Sequence, residues 1–398
     1  MPVALKGVAA CGDTAGMRAI TVQSQEIDTL AAAAEVIALC TEQLRGERPV
    51  AAFLFASTEY EHAQLLEAIA DRWPDLPLVG GSTDGEVSSA GFGHDSIVLT
   101  MLVGEGIRAR SGLGRNLSLD PARAVAEALA GADGLRPALC WTVFAPTSNS
   151  TAIVRQIQGR IGACPIVGGL TGDHREYSRM VEFHGREVLK DSLPIMFLDG
   201  DLKVGFGVGT GWFPIGEPKV VTHADEHWVH TIDGRPALDV YRDLWGGTAI
   251  TQSLGEFPIA VFPNGLDGDY HLRAVLDVDQ ETGSIRVAGE VVTGSQIKLT
   301  EVLPEGILAG SGVSVDNAVR AYPGKAPQVA FVFSCAARKW VLGTKAEKEI
   351  DLLRAALAAA GVQPVVAGGY CFGEIAPQRP GAPSEFHNET CVTVLLGQ

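Results

Sequence analysis

The sequence lacks any apolar run long enough to cross a membrane, and it lacks the excess of basic residues that nucleic-acid-binding proteins carry. A spanning helix needs about 20 consecutive, mostly apolar residues, and no such run is present. Lysine and arginine number 31 against 47 acidic residues, and the net charge of −16 makes the surface repel phosphate backbones and anionic lipid. We therefore expect neither a membrane nor a nucleic acid among the partners.

Several chemical motifs are also missing. The sequence has no Walker loop, no GxGxxG after a first strand and no CxxCH, which excludes the common nucleotide-binding loops and covalently attached haem. The seven cysteines show no CxxC spacing, and most of them lie in apolar stretches. This distribution predicts buried thiols in a reducing compartment, the cytoplasm.

The chain is rich in apolar residues and in glycine. Of its 398 residues 46% are hydrophobic and only 20% are charged, which is typical of a well-packed globular protein. The length exceeds what one hydrophobic core usually supports, so at least two domains are expected.

Three stretches share one pattern, in which a short apolar run is followed by two glycines and then by polar residues. The pattern is typical of a buried strand that ends in a tight turn, where glycine lets another backbone or a ligand approach closely. A helix, a strand and a second helix precede each Gly pair, which indicates a repeated unit. The three stretches are Gly80-Gly81-Ser82-Thr83-Asp84-Gly85-Glu86, Gly168-Gly169-Leu170-Thr171-Gly172-Asp173-His174 and Gly368-Gly369-Tyr370-Cys371-Phe372-Gly373-Glu374.

The spacing of the units predicts a further, degenerate copy. Phe55 and Phe144 are 89 residues apart, whereas Phe144 and Phe333 are 189 apart, about twice as far. We expect this copy to contain a helix over 236–245, a strand over 257–262, a hairpin over 272–287 and strands over 287–292 and 296–302. It lacks a second helix and a Gly pair.

The predicted fold class follows from these units. We expect an α/β protein of repeated helix–strand–helix–strand–hairpin units in two pseudo-duplicated halves, with mixed sheets covered by helices. The predicted domains are residues 25–216, with two repeats, and 217–398, with one degenerate and one full repeat. The stretch 205–211 alternates glycine with other residues, which indicates a close-packed strand and not a phosphate-binding loop.

Candidate binding groups concentrate in the last repeat, in loops that leave the carboxyl ends of strands. Arg338 could hold a carboxylate of a ligand, or it could pair with Glu374 and tie two loops together. Cys335 with His387 and Asn388 has the residue types of a cysteine hydrolase, although a buried histidine that bonds a turn is the commoner fate of such a residue.

Three histidines near the middle of the chain, His223, His227 and His230, invite a metal-site interpretation. His223 and His227 are four residues apart, which suits a metal only on a helix. The flanking residues indicate strands and a turn instead, and on a strand His230 would face away from the other two. We expect an exposed hairpin.

Five motifs in this order resemble the FIST family of sensory proteins, with an N-terminal and a C-terminal FIST domain in tandem. The resemblance runs from about residue 30 to the end of the chain. Both residues between Cys335 and Arg338 are alanine, where family members often carry a glycine. The motifs are Gly80–Glu86 with Asp95–Leu99, Gly234–Tyr241, Ser334–Arg338, Gly368–Glu374 and Phe386–Thr390.

The resemblance implies an intracellular small-ligand sensor in signal transduction, not an established enzyme. Family members are thought to bind small molecules such as amino acids. Some bind haem, sense nitric oxide and act on a separate histidine kinase or cyclic-di-GMP enzyme. Output is thus expected through a partner protein, and haem b is a candidate cofactor with His387 as axial ligand. The candidate ligand-binding residues are Ser82, Thr83, Asp84, Cys335, Arg338, Gly368, Gly369, Tyr370, Cys371, Glu374, His387 and Asn388.

Overall fold

The structure is a computed structural model that describes residues 16–146, 149–244 and 254–398. Its first half contains two complete copies of one unit: strand, helix, strand, helix, strand, a two-stranded hairpin and a final strand. The first copy comprises β1 (Arg18–Ser24), α1 (Thr29–Leu44), β2 (Ala51–Ala56), α2 (His62–Arg72), β3 (Leu78–Ser82), β4 (Glu86–Ser88), β5 (Gly91–Gly93) and β6 (Ile97–Val103). The second comprises β7 (Arg108–Arg115), α3 (Pro121–Leu129), β8 (Leu139–Phe144), α4 (Ser150–Ile161), β9 (Ile166–Leu170), β10 (Glu182–His184), β11 (Glu187–Leu189) and β12 (Ser192–Asp199).

The third copy is split by an insertion after its first strand. It begins with β13 (Lys203–Thr210), and the inserted segment then adds β14 (Trp212–Asp225), β15 (Trp228–Ile232), β16 (Arg235–Pro236), α5 (Ala237–Leu244), β17 (Ile259–Phe262), β18 (His271–Arg273), β19 (Val275–Asp279), β20 (Ser284–Val287) and β21 (Gln296–Val302). The unit resumes with α6 (Pro304–Ala321), β22 (Val329–Cys335), α7 (Ala336–Leu342), α8 (Ala346–Ala359), β23 (Val365–Cys371), β24 (Glu374–Pro377), β25 (Ser384–His387) and β26 (Thr390–Gly397).

Each unit builds a six-stranded sheet with a hairpin that comes from another unit. The strand orders are β1-β6-β2-β3-β10-β11, β7-β12-β8-β9-β24-β25 and β13-β26-β22-β23-β4-β5. The hairpin of the first unit therefore joins the third sheet, that of the second joins the first, and that of the third joins the second. This cyclic exchange ties the three sheets into a closed ring.

The centre of the ring is a cluster of aromatic side chains from the middle strand of each sheet. Phe53 on β2, Trp141 on β8 and Phe331 on β22 meet edge to face, with ring centroids 4.8 Å apart for Phe53–Trp141 and 4.9 Å for Phe53–Phe331. Phe55 and Phe333 extend the cluster. Each such aromatic pair contributes about 0.5–1.5 kcal/mol of stability in addition to the free energy of burying its surface. The cluster therefore helps to hold the three units together.

Helices cover the outer faces of the three sheets, as predicted. Asp120 caps α3 by accepting a hydrogen bond from the amide of Arg123, with Pro121 at the first helical turn. The glycines of β13 let α6 lie directly on the strand, because a Cβ on Gly207 would stand 2.1 Å from the carbonyl oxygen of Ser314. The stretch 205–211 is thus the close-packed strand that its alternation indicated.

The inserted segment differs from the degenerate copy that we expected. The predicted elements are present as α5, β17, the β19–β20 hairpin and β21, and Trp245 lies outside the described residues. The strand predicted over 287–292 is absent from these described residues, because β20 ends at Val287 and the next strand, β21, begins at Gln296. Every strand pairing in the described part of the segment is antiparallel. The three units each contain one parallel pair across a crossover helix. A parallel pair needs a crossover connection, usually a helix, and the described part of the segment lacks the second helix that supplies it in the other units.

The domain boundary that we predict between residues 216 and 217 falls within β14, at a bend. Gly216 has a φ of 72°, and the register between β14 and β21 shifts between Ile215 and Lys219. Mixed sheets covered by helices in two domains are confirmed, whereas this boundary stays a prediction.

The three histidines lie along the β14–β15 hairpin, as predicted. His223 and His230 nevertheless face each other, with ring centroids 4.7 Å apart. The pairing register between β14 and β15 shifts on both sides of His223. These irregularities place the His223 side chain on the opposite face of the hairpin from the one that regular strand alternation predicts. Among the described residues, no group of side chains has the composition and spacing of a metal site, and none of their helices is long and apolar enough to cross a membrane.

Candidate functional site

The three Gly-pair loops meet at one end of the ring and hydrogen-bond to one another through their backbones. The amide of Asp84 donates to the carbonyl of Tyr370 over 2.8 Å, that of Gly172 to Ser82 over 2.9 Å, and that of Leu170 to Gly373 over 2.8 Å. These bonds link the first loop to the third, the second to the first and the third to the second. The loops therefore form one continuous surface.

The second glycine of each pair is required by a side chain from a neighbouring unit. A Cβ on Gly81 would lie 2.6 Å from Cγ2 of Thr171. A Cβ on Gly169 would lie 2.8 Å from Sγ of Cys371, and a Cβ on Gly369 would lie 2.7 Å from Cγ2 of Thr83. Each contacting side chain is two residues beyond the second glycine of its own loop. The predicted residues Thr83, Gly369 and Cys371 are thus brought together by the ring.

Three equivalent glutamates, Glu86, Glu182 and Glu374, lie beside these contacts. Each opens the exchanged hairpin of its unit and pairs with the second glycine of another unit. All three are buried, and burial raises the pKa of each carboxyl to about 8. Glu374 accepts hydrogen bonds from the amide and hydroxyl of Thr390, whereas Oε2 of Glu182 has no hydrogen-bond partner among the described residues.

These glutamates make stability depend on pH. The folded protein keeps protons that an unfolded chain, with an ordinary glutamate pKa near 4.5, has already lost. The free energy of unfolding should fall as the pH rises from about 4.5 through 8, by at most about 1.4 kcal/mol per pH unit for each such group. E374Q removes the titrating proton and should make this decline shallower in urea unfolding curves. E67Q, at an exposed position on α2, should leave the decline unchanged; equal slopes for wild type and E374Q would contradict the assignment.

One buried carboxylate at this end, that of Asp84, is held by side chains from two other units. Asp84 is 1% exposed. Nε1 of Trp340 donates to its Oδ2 over 2.8 Å, and Nζ of Lys339 lies 3.3 Å from the same atom and also donates to the Asp84 carbonyl. Nδ1 of His174 lies 3.3 Å from Oδ1. We call Asp84, His174, Lys339 and Trp340 the Asp84 site.

His174 connects this carboxylate with a hydroxyl and a second acid. Its Nε2 lies 3.3 Å from Oγ of Ser57 and 3.4 Å from Oδ1 of Asp95. The adjacent carboxylate of Asp84 raises the pKa of His174, so the imidazolium is favoured between the two acids. A hydroxyl, an imidazole and a carboxylate in a row are the groups of a serine hydrolase. Ser57 is fully buried, however, and its hydroxyl also donates to Asp95, so the arrangement favours binding over nucleophilic attack.

The segment that carries His174 has an unusual backbone. His174, Arg175 and Tyr177 have φ values of 54°, 70° and 55°, in the left-handed region that side chains other than glycine seldom adopt. The buried carboxylate of Asp173 fixes the segment by accepting hydrogen bonds from the amides of Tyr177, Ser178 and Arg179. Such strain costs roughly 1 kcal/mol or more per residue and is concentrated at functional sites.

The same segment forms a wall of aromatic and cationic groups beside the Asp84 site. The guanidinium of Arg175 stacks over the ring of Trp340 at 3.8 Å and pairs with Glu256 at 2.7 Å. The ring of Tyr177 lies 5.0 Å from that of Phe372. The side chain of His174 is 28% exposed, so the Asp84 site reaches the protein surface beside this wall.

Arg338 does not occupy the position that the sequence suggested. Its side chain and that of Glu349 are both 0% exposed, and Nη2 lies 2.6 Å from Oε1 of Glu349, not beside Glu374. Nη2 also donates to Ser311 and to the carbonyl of Ile307, while the hydroxyl of Tyr370 donates to Oε2 of Glu349. These bonds anchor α7 to α6 and α8. A guanidinium enclosed in this way is a structural group, and the cation of α7 that contacts the Gly-pair loops is Lys339.

The thiols of Cys335 and Cys371 lie near each other at the ends of paired strands. Burial, followed by the neighbouring Glu374, raises the pKa of both thiols well above the ordinary value. A neutral, buried thiol is a poor nucleophile, which disfavours the cysteine-hydrolase alternative.

His387 is a buried histidine that bonds a carbonyl. Its Nε2 lies 2.9 Å from the oxygen of Ala376, and burial lowers its pKa to about 4. An axial haem ligand needs a free imidazole nitrogen that faces a cavity. The described surroundings of His387 do not fit such a ligand. Its neighbour Asn388 is also buried, and its Oδ1 has no hydrogen-bond partner among the described residues.

Four residues of this region were not among the candidates expected from the sequence: His174, Lys339, Trp340 and Glu349. Lys339 and Trp340 lie in α7, a segment that the first two units lack between their middle strand and second helix. That extra segment was the available signal. Glu349 lies within the apolar stripe of α8, which is formed by Ala346, Ile350, Leu353 and Leu357. A glutamate at such a position predicts a buried charge that needs a partner.

Comparisons with known proteins cover most of the chain. A model of the FIST N domain matches residues 50–235, and a model of the FIST C domain matches residues 237–377. The chain is 25% identical over 370 residues to the uncharacterized protein Mb0898c of Mycobacterium bovis, an alignment that covers 88% of this chain and 92% of that protein. It is 26% identical over 326 residues to the uncharacterized protein Rv0628c of Mycobacterium tuberculosis, with 78% and 83% covered.

Solved structures resemble the chain only distantly. A cyanuric acid hydrolase gives a TM-score of 0.30 at 9% identity over 96% of this chain and 99% of that one. T. maritima PurL complexed with FGAR gives 0.26 at 11% identity over 98% and 74%. Scores this low carry no argument about activity. The two domain matches decide the family: the chain belongs to the FIST family of sensory and signal-transduction domains, with a FIST N domain followed by a FIST C domain.

Proposed function

We propose that this protein is a sensor that binds a small polar molecule with both charges, of the amino-acid class, at the Asp84 site. The observation that carries the proposal is that one buried carboxylate of the first unit is held by His174 of the second and by Lys339 and Trp340 of the third. A ligand that competes for these contacts changes how the units are held together.

The charges beside the site suit such a ligand. Lys339 and Arg175 can donate hydrogen bonds to a carboxylate group, while Asp95 and Glu256 can accept hydrogen bonds from an ammonium group. Trp340, Tyr177 and Phe372 supply apolar surface for a side chain. The carboxylate-binding role that the sequence suggested for Arg338 thereby moves to the adjacent lysine.

Signal output is proposed to occur in the cytoplasm through a separate protein. The ligand would alter the Asp84 contacts between the FIST N and FIST C domains, and the partner would recognise the altered surface. A histidine kinase and a cyclic-di-GMP enzyme are the candidate partners that the family resemblance supplies.

A panel of the L-amino acids, assayed by thermal shift and then by isothermal titration calorimetry, tests the proposal. At least one amino acid should raise the melting temperature of the wild type. K339A should weaken its binding about tenfold or more, because a charge-assisted hydrogen bond contributes about 1.5–3 kcal/mol.

K345A is the matched control, since Lys345 is a half-exposed lysine that follows α7 and pairs only loosely with Glu305, at 3.9 Å. It should bind the amino acid as the wild type does. Circular dichroism establishes that both variants are folded. A panel without any shift, or a folded K339A with wild-type affinity, would refute the proposed ligand class and site.

A further inference from the structure

Two cysteines of the second unit lie close enough to react with each other. Sγ of Cys140 and Sγ of Cys164 are 3.6 Å apart, and both thiols are free. Cys140 is buried on β8, and Cys164 is half-buried in the loop that leads into β9. A disulfide has an S–S distance of about 2.05 Å, so the sulfurs need to approach by roughly 1.5 Å.

The fold itself does not require this pair. Cys140 pairs with Ile166 across the parallel strands, as Ala52 pairs with Leu78 in the first unit. Alanine therefore occupies the position equivalent to Cys140. The residue two positions before Leu78 is Leu76, which is equivalent to Cys164. An ordinary apolar pair fills the same place in the first unit, so the two thiols are a specific feature of the second.

The two thiols differ from the other buried thiols of the chain. A hydrogen bond from Cys140 lowers the pKa of the Cys164 thiol and thus favours its thiolate. Burial raises the pKa of Cys40 and of Cys391 to about 12. Thiolates, not thiols, react with peroxides, so oxidation should begin at Cys164, whose side chain also reaches solvent.

We propose that Cys140 and Cys164 are an oxidation site at which hydrogen peroxide converts the two thiols into a disulfide. The Cys164 thiolate attacks the peroxide, the S–O bond forms, the O–O bond breaks, and hydroxide leaves as water after protonation. The Cys140 sulfur then attacks the resulting sulfenic acid, the S–S bond forms, and the sulfenic oxygen leaves as water with the proton of Cys140. Two electrons pass from the thiols to the peroxide.

This site is separate from the Asp84 site, and it contacts the exchanged hairpin of the third unit. The side chain of Gln158 donates to the carbonyl of Cys164 over 3.1 Å and accepts from the amide of Ser384 over 2.8 Å. The hydroxyl of Ser384 accepts from the amide of Ile166 over 2.8 Å. Movement of Cys164 toward Cys140 therefore pulls on the edge where β25 lies against α4. Oxidation of the two thiols is thus a redox input in addition to the proposed ligand input.

The test treats the folded full-length protein with hydrogen peroxide and maps tryptic peptides by mass spectrometry without reduction. The wild type should yield the peptide containing Cys140 joined to the peptide containing Cys164. C164S should abolish the joined peptide and leave Cys140 reduced. C140A, which copies the alanine of the first unit, should accumulate a sulfenic acid at Cys164 that dimedone traps. C40A should keep the cross-link.

Two results would overturn the proposal. One is a folded wild type in which both cysteines stay reduced while peroxide oxidises other residues. The other is a joined peptide that forms only after urea unfolding, because the native proximity of the sulfurs would then have no role. Amino-acid binding measured on C164S separates this test from that of the proposed function.

Discussion

Replacing Glu349 with alanine lowers the free energy of unfolding by about 3–5 kcal/mol, the largest effect that we expect from one side chain. The substitution leaves the Arg338 guanidinium charged and fully enclosed, with one nitrogen, Nη1, already unpartnered among the described residues. The hydroxyl of Tyr370 loses its acceptor as well. Urea unfolding followed by circular dichroism measures the change.

Two further variants isolate the cause. R354A removes an exposed arginine of the same helix, whose distance to Asp351 is 3.7 Å, and should change stability by less than about 0.5 kcal/mol. The double variant R338M/E349L removes both charges and should recover part of the loss, because the damage comes from one unpaired buried charge. A loss in E349A no larger than in R354A would mean that the pair does not anchor the three helices.

Gly368→Ala should cost about 3 kcal/mol or more, because the strand has no room for a side chain at this residue. Gly368 has a φ of 153°, and a Cβ there would stand 1.8 Å from the carbonyl oxygen of Val332 on β22. The clash falls on backbone atoms of the parallel pair, which cannot turn away as a flexible side chain can. Thermal unfolding gives the size of the effect.

Gly159→Ala supplies a control of opposite sign. Gly159 lies in α4, and a Cβ there would meet no described atom within 4 Å. Alanine at such a helical position should stabilise the protein by about 0.4–1 kcal/mol. Equal effects at the two glycines would show that the contact with Val332 does not decide the cost.

The repeated units could be predicted because each depends on local pattern. The Gly pairs mark the strands β3, β9 and β23, and the first glycine of each pair packs against a neighbouring strand of the same unit. The exchange of hairpins could not be predicted. Nothing in the apolar pattern of β4 or β10 distinguishes the sheet of its own unit from that of another, since either would bury the same face. The inserted segment was wrongly predicted to be a degenerate copy of the unit. The distance between the flanking units fits such a copy, but the described part of the segment contains no parallel strand pair.

The candidate site was predicted in part. Thr83, Asp84 and the Gly-pair residues lie where the loops converge, as strand-end residues should. The partner of Arg338 lies eleven residues further along the chain on α8, and sequence spacing alone did not distinguish Glu349 from Glu374. His174 reaches Asp84 because its segment has a left-handed backbone conformation. The residue types of the segment do not predict this conformation.

The exchange of hairpins has a consequence for how the chain reaches its native state. Residues 86–88 complete their pairing only with residues 367–369, near the opposite end of the chain. During synthesis the FIST N domain emerges before β23 and β24 are made, so that β4 and β9 lack these partner strands. Such distant pairings make folding slow, and an exposed strand edge invites association with other chains. We therefore expect the two family domains to fold as one cooperative unit, which needs β23 and β24 before the strands of the first half are fully paired.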